Sequence, residues 1–551
     1  MPQSGLKHKK KELAMLETSR AYNGMIVTPH RLASQAGISI LRRGGHAVEA
    51  AIAAAAALCV AYPHMCGLGG DGFWLILPAG DREPIFIDAC GRSAQNCTLD
   101  WFGSRNLNAL PLHGPAAALT VAGAVSGWEL ALKTSQNWAT GHDRLSLSDL
   151  FADAVQLAEQ GFPVSRHMHE LCVRELGSFA PYEAFKAQFL PGGEAPPEGS
   201  RMRLPALART LRRLASEGLD SFYRGGVARD MADDLAAAGS PLSLVDLENH
   251  KAEIRSPLAL DLECARLFNC PPPTQGLASL IILGILERLA RREACDLSDP
   301  AMLTHCIVEA TKQAFILRKR HIADPAHMTC DPADLLSPGN LQLQAEGISF
   351  EKAMPWSPND PDGDTIWLGV MDRWGNTVSC IQSIYHGFGS AVVLPKTGIT
   401  WHNRGQGFFF SSGKPNSIGP AKKPLHTLNP AMAIFPDGRI VSYGTMGGDG
   451  QPQTQAAVFA RYALCGLAAQ DCITLPRWVI GRTWGKPSAS LKIEENFGAV
   501  VLEKLAGLGH TVEPEPAFSS LMGHAGILVR HPEGLLEGGF DPRSDGSVAC
   551  W

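Results

Sequence analysis

SPNDPDGDTIWLGVM, residues 357–371, is where the sequence changes character. Its first half, 357–364, is a Pro/Asp/Gly loop: proline fixes φ and lacks an amide proton, and Asp and Gly favour turns. Its second half opens at Thr365 as a run of branched and aromatic residues, the composition of a strand packed on a pleated surface. Upstream of the junction apolar residues recur mostly at helical spacing. Downstream they come in short runs between turn signals.

Working outward, strands are predicted over 365–371, 377–384, 391–394 and 398–401. DRWGN (372–376) reads as one hairpin turn and FPDG (435–438) as another, joining 431–434 to 439–444. Gly447-Gly448 leads into a helix near 452–464, with proline in its first turn. In the other direction, helices are predicted over 29–43 (ended by Gly44-Gly45), 46–62, 148–160 (capped by Ser148), 206–217, 227–238 and 303–321. Helices and strands in separate runs predict α+β layers rather than a doubly wound sheet.

The 551 residues are 45% apolar and 19% charged, with a net charge of −5, an ordinary globular composition. Nothing in that balance draws the chain to nucleic acid or acidic membranes. The basic run at 7–11 reads as a solvated terminal tail. Residues 1–20 hold no apolar core of a secretory signal. The stretch 47–62 is too short, too Ala-rich and interrupted by Glu49, so it reads as a buried helix rather than a span. Fourteen cysteines with no CxxC pair are expected to be reduced and mostly buried, and a cytoplasmic location follows as the expectation.

GLGGDG (67–72) matches GxGxxG, but a helix precedes it and a probable strand, 73–76, follows. A dinucleotide fingerprint needs the reverse order, so a nucleotide role is rejected. There is no P-loop, no GxSxG elbow, no HExxH and no zinc-spaced Cys/His set. His64, His386, His402 and His426 read as structural histidines, and no metal or organic cofactor is implied. Gly447-Gly448 has two readings: a tight turn needing positive φ, or paired backbone donors at a helix N-terminus suited to an oxyanion.

Longer motifs run through the chain: TPHRLASQAGISILRRGGHAVEAAIAAAAAL (28–58), PHMCGLGGDGFWLI (63–76), VAGAVSGWELALK (121–133), FYRGGVARDMADDLAAAG (222–239), EATKQAFILRKRHIADP (309–325), NPAMAIFPDGRIVSYGTMGGDGQ (429–451) and GGFDPRSDGSV (538–548). In this order, over about 25–551, the chain resembles the gamma-glutamyltranspeptidase family. The resemblance implies a four-layer αββα sandwich of the N-terminal-nucleophile type, made as one precursor. It implies a 1–24 tail, a mostly helical large subunit (25–364) forming one half of the sandwich, and a strand-rich small subunit (365–551). The cut falls between Asp364 and Thr365. Thr365 then supplies both the attacking hydroxyl and, as a freed α-amine titrating near 8, the base. Gly447 and Gly448 are implied as oxyanion donors and Ser383 as a second hydroxyl. The two-chain unit is expected to pair, if at all, with a second copy.

Departures from the family pattern speak to substrate. The arginine that clamps a glutamyl α-carboxylate maps to Ile87, with Arg92 close enough in sequence to stand in. The pair that reads the α-amino group maps to Arg404 and Gly407, the usual asparagine to Tyr385, and two pocket serines to His426 and Thr427. Losing the acid and gaining an arginine fork favours an anionic acyl group without an amino group. With SIYHGFGS (383–390) and HTLNP (426–430), the set resembles the oxamate amidohydrolase-like branch, whose reaction yields oxalate and ammonia in purine breakdown. The alternatives are a gamma-glutamyl hydrolase or transferase, a glutaryl-type acylase, or a binding protein that has kept only the fold.

Overall fold

The computed structural model describes residues 16–138, 144–356, 364–481 and 489–551, the side chain of Asp364 excepted. The loop predicted at 357–364 therefore lies, up to residue 363, outside the described residues.

The strand that follows the junction spans Asp364–Asp372 and alternates as a sheet residue must. Ile366, Leu368 and Val370 face a helical layer, while Trp367 and Met371 face a second sheet. This strand is central. Its sheet runs Ser547–Cys550, Gly24–Thr28, Asp364–Asp372, Thr377–Tyr385, Asp71–Leu77, Ile85–Ala89, Glu253–Arg255, antiparallel throughout. The facing sheet runs Ser19–Ala21, Leu536–Phe540, Ala525–Arg530, Ile440–Thr445, Ala431–Ile434, Arg266–Asn269, Leu258–Asp261. Between them Phe73, Leu75, Trp367 and Ile381 meet Phe268, Met432 and Leu528. The sheets approach closely at Trp367, because a Cβ at Gly444 or Gly526 of the facing sheet would lie 2.2 Å from its ring.

Helices cover both outer faces, giving the αββα sandwich. On one face Ala47–Ala61 is buried at every residue, between the sheet and the helices Arg31–Arg42 and Leu147–Gln160. Alanine at most positions lets the backbones approach, and His46 and Glu49 close its first turn as a reciprocal cap. On the other face Gly276–Ala290, Pro300–His321 and Gly450–Ala463 pack together.

Four expectations are corrected. Ser146, not Ser148, caps helix Leu147–Gln160, because Asp149 three residues on returns the bond. The strands expected at 391–394 and 398–401 shrink to Val393–Leu394 and Ile399–Thr400. The 1–24 tail ends sooner, since Ser19–Ala21 pairs with Leu536–Phe540. Segments 25–364 and 365–551 do not each form one half of the sandwich, since both sheets interleave strands from either side of the junction. None of the fourteen cysteines forms a disulfide. Among the described residues no helix is long and apolar enough to cross a membrane.

Candidate active site

Thr365 is the second residue of its strand, fully buried. The register with Thr377–Tyr385 slips by one between Asp364, opposite Tyr385, and Ile366, opposite Gln382. Thr365 therefore faces two residues, Ser383 and Ile384. Such a bulge re-aims side chains, and here it brings the Ser383 strand to bear on Thr365. Ser383 Oγ accepts the Tyr385 amide at 2.7 Å. Gln451 Nε2 donates to Thr365 Oγ1 at 3.3 Å from the first turn of helix Gly450–Ala463.

The turn before that helix carries the glycine pair. Gly447 and Gly448 have φ of +125° and +50°, a conformation few side chains tolerate. Their carbonyls accept the amides of Gly450 and Gln451. Gln275 Nε2 donates to the carbonyls of Gly448 and Thr427, at 2.8 and 2.9 Å. Its Oε1 accepts from Arg318, which also pairs with Asp449. The buried Arg318 and Gln275 thus lock the glycine turn to the Thr427 segment.

Thr427 leads to the arginine. Arg404 is 1% exposed, donates from Nη1 to Thr427 Oγ1 at 3.1 Å, and sits with Cζ 3.4 Å from the Tyr385 ring centroid. Its Nε and Nη2 are buried with no hydrogen-bond partner among the described residues. Tyr385 holds φ at +78°, rare for a bulky residue and typical of functional sites. Gly407, where the family places an acid, has no room for one: a Cβ would lie 2.3 Å from the Leu425 carbonyl and 3.2 Å from Arg404 Nη2.

Asp71 lies beside this arginine. Its Oδ1 accepts the Gly91 and Gly123 amides, both at 3.0 Å, and its Oδ2 is hydrogen-bonded with His426 Nε2 at 3.1 Å. His402 Nδ1 is 3.6 Å away, and the other nitrogen of that ring meets Thr120. Burial pushes Asp71 up to about 8, against the opposing pull of the two amides and Arg404. Burial and then Arg404 hold His426 well below the usual imidazole range.

Of the predicted residues, Thr365, Ser383, Tyr385, Arg404, His426, Thr427, Gly447 and Gly448 converge. Arg92 does not join them: its side chain is 44% exposed and bonds Asp324 and the Ala421 carbonyl. Ile87 is a core residue. His402, read as structural, also lies beside Asp71, which His426 bonds. The structure adds Asp71, Gln275, Arg318, Asp449 and Gln451, which no sequence motif singles out. The available signal was a charge inside an apolar, Gly-rich segment, which burial obliges to find a partner. Among the described residues, Asp71, Cys90 and His426 form one group of potential metal-ligand atoms and His305, Glu309 and His510 another. In the first, His426 already bonds Asp71; in the second, His305 bonds His510 and Glu309 takes Lys312.

The sequence model described as gamma-glutamyltranspeptidase matches residues 33–551. The chain is 52% identical to the oxamate amidohydrolase proenzyme of Klebsiella pneumoniae, over 96% of this chain and 98% of that one. It is 38% identical to a glutathione hydrolase-like proenzyme of Bacillus subtilis, over 95% and 98%. Among solved structures, a cephalosporin acylase from Bacillus halodurans superposes with a TM-score of 0.88 at 31% identity, covering 100% of this chain and 99% of that one.

Proposed function

The chain belongs to the gamma-glutamyltranspeptidase family of N-terminal-nucleophile hydrolases, and on that premise we propose that it is a self-processing amidohydrolase of small anionic amides, with oxamate as substrate and oxalate and ammonia as products. Processing frees Thr365 as the new N-terminus of a small subunit that stays with its large subunit. The α-amine takes the proton of Thr365 Oγ1, the hydroxyl attacks the amide carbonyl, and the amides of Gly447 and Gly448 stabilise the oxyanion. Ammonia leaves with that proton. Water attacks the resulting ester, releasing the acid and restoring the hydroxyl. In the precursor the same hydroxyl attacks the carbonyl of Asp364.

Arg404 carries the substrate reading. A buried guanidinium with two unpartnered nitrogens is costly, and a carboxylate accepting from both relieves that cost by about 1–3 kcal/mol for each bond. Two connections tie it to Thr365. Tyr385 beneath it stands opposite Asp364 in the ladder, and Thr427 beside it shares Gln275 with Gly448. A guanidinium linked to the nucleophile through single intervening residues supports a substrate whose carboxylate adjoins the scissile carbonyl. The high identity to a protein named for oxamate supports the same reading.

The test is ammonia release from oxamate by purified enzyme, beside a γ-glutamyl anilide, a glutaryl amide and a cephalosporin amide. Oxamate is expected to be the preferred substrate. Arg404→Lys, which keeps the charge but loses the fork, is expected to lower kcat/KM about 100-fold, mainly through KM. Efficient cleavage of the γ-glutamyl anilide with none of oxamate overturns the proposal.

A further inference from the structure

Gln451 is fully buried one turn beyond the glycine pair, and the two ends of its amide are treated differently. Nε2 donates to Thr365 Oγ1 at 3.3 Å. Oε1 is buried with no hydrogen-bond partner among the described residues. A buried amide carbonyl left unsatisfied costs about 1–3 kcal/mol, and such groups in folded proteins are few. Its neighbour, Gln453, uses both ends of its amide on backbone groups of Asp449 and Ile480. The orphaned acceptor is therefore a feature of position 451 and not of the helix start.

In the uncut chain the nitrogen of Thr365 is a peptide amide with a single proton. Cleavage of the 364–365 bond converts it into an amine, which gains donors beside an amide that lacks one. We infer that Gln451 is a positioning residue for both stages of the reaction: its Nε2 holds the Thr365 hydroxyl for self-cleavage, and its Oε1 receives the freed α-amine and fixes it as the base. The inference rests on Thr365 being the nucleophile and says what orients it. A donor on Oγ1 leaves the hydroxyl proton as the one to be removed and stabilises the oxygen as it becomes an anion. An acceptor on the α-amine aims its lone pair at that proton instead of leaving it to rotate about the Cα–N bond.

The experiment compares wild type with Gln451→Glu and Gln451→Met, each first checked for a wild-type thermal melt. Precursor cleavage is followed by intact mass, and kcat and KM for ammonia release are measured from pH 5 to 10. Gln451→Glu places a carboxylate against the α-ammonium, which raises an amine pKa by about 1–3 units. The acidic limb of its kcat profile is expected to move up by at least one unit. Gln451→Met removes both ends of the amide, and self-cleavage and kcat are expected to fall at least tenfold while KM stays within about threefold. A Gln451→Met chain that cuts itself and turns over like wild type overturns the inference. So does a processed Gln451→Glu enzyme whose acidic limb does not move. Should Gln451→Glu fail to fold or cut itself, Gln451→Met decides alone. Failure of the parent reading is separate: it appears as an uncut wild type or as cleavage in Thr365→Ala, whatever residue 451 is.

Discussion

In the proposed acyl pocket, Arg404 and Asp71 set the charge between them. Asp71, held near 8 by burial, keeps its proton at neutral pH and leaves the arginine uncompensated. Above about 8 the carboxylate forms and competes for the guanidinium. An anionic substrate should thus bind best below that value. KM for oxamate is expected to be flat up to about pH 7 and to climb above 8 towards tenfold per unit, as linkage to one proton requires. Asp71→Asn is expected to abolish the climb. A KM that climbs equally in wild type and Asp71→Asn assigns the titration elsewhere. Arg404 stood out in the sequence because it puts a charge where the family motif has a neutral residue, and His426 because it puts a ring where the motif has a serine. Asp71 did not, because it sits in a glycine run whose obvious use, nucleotide binding, was excluded by its flanks. Arg92 was suggested by proximity in sequence, which does not say that its side chain turns to Asp324.

The strand Asp364–Asp372 joins the site to the core. Trp367, two residues beyond the candidate nucleophile, lies across Gly444 and Gly526 of the facing sheet and donates to Ser379 Oγ at 3.0 Å. Replacing it with alanine removes a large ring from a seat that backbone glycines cannot refill. Trp367→Ala is expected to cost about 3–5 kcal/mol in urea unfolding, and Gly526→Ala also to destabilise by displacing the same ring. A loss under 1 kcal/mol for Trp367→Ala would mean that the sheets are not keyed together there. Strand and helix existence was legible because the period of apolar residues changes at the junction. The bulge opposite Thr365 was not, because alternation runs unbroken through SIY (383–385) and only pairing reveals the extra residue. The Ser146 cap was missed for a similar reason: two serines flank Leu147, and only the returned bond from Asp149 chooses between them.

Both sheets are woven from the two sides of the 364–365 junction, with Asp364–Asp372 hydrogen-bonded to Gly24–Thr28 on one edge and Thr377–Tyr385 on the other. Local sequence pattern does not encode such pairing. Strands hundreds of residues apart carry no mutual signal, so the layered class was legible and the interleaving was not. The site inherits this plan, since Asp71, Gln275 and Arg318 come from one side of the junction and Thr365, Arg404, Thr427 and Gln451 from the other. A cut at the junction should leave two chains that remain associated until the sheets themselves unfold. Whether Thr365 cuts the chain and becomes its nucleophile is decided by intact mass and N-terminal sequencing of wild type and Thr365→Ala under denaturing conditions, with native gel filtration alongside. Two wild-type chains are expected, the smaller beginning at Thr365, co-eluting in native buffer, and a Thr365→Ala chain that stays whole. A folded wild type that remains one chain, or a Thr365→Ala protein cut at the same bond, would contradict that role for Thr365.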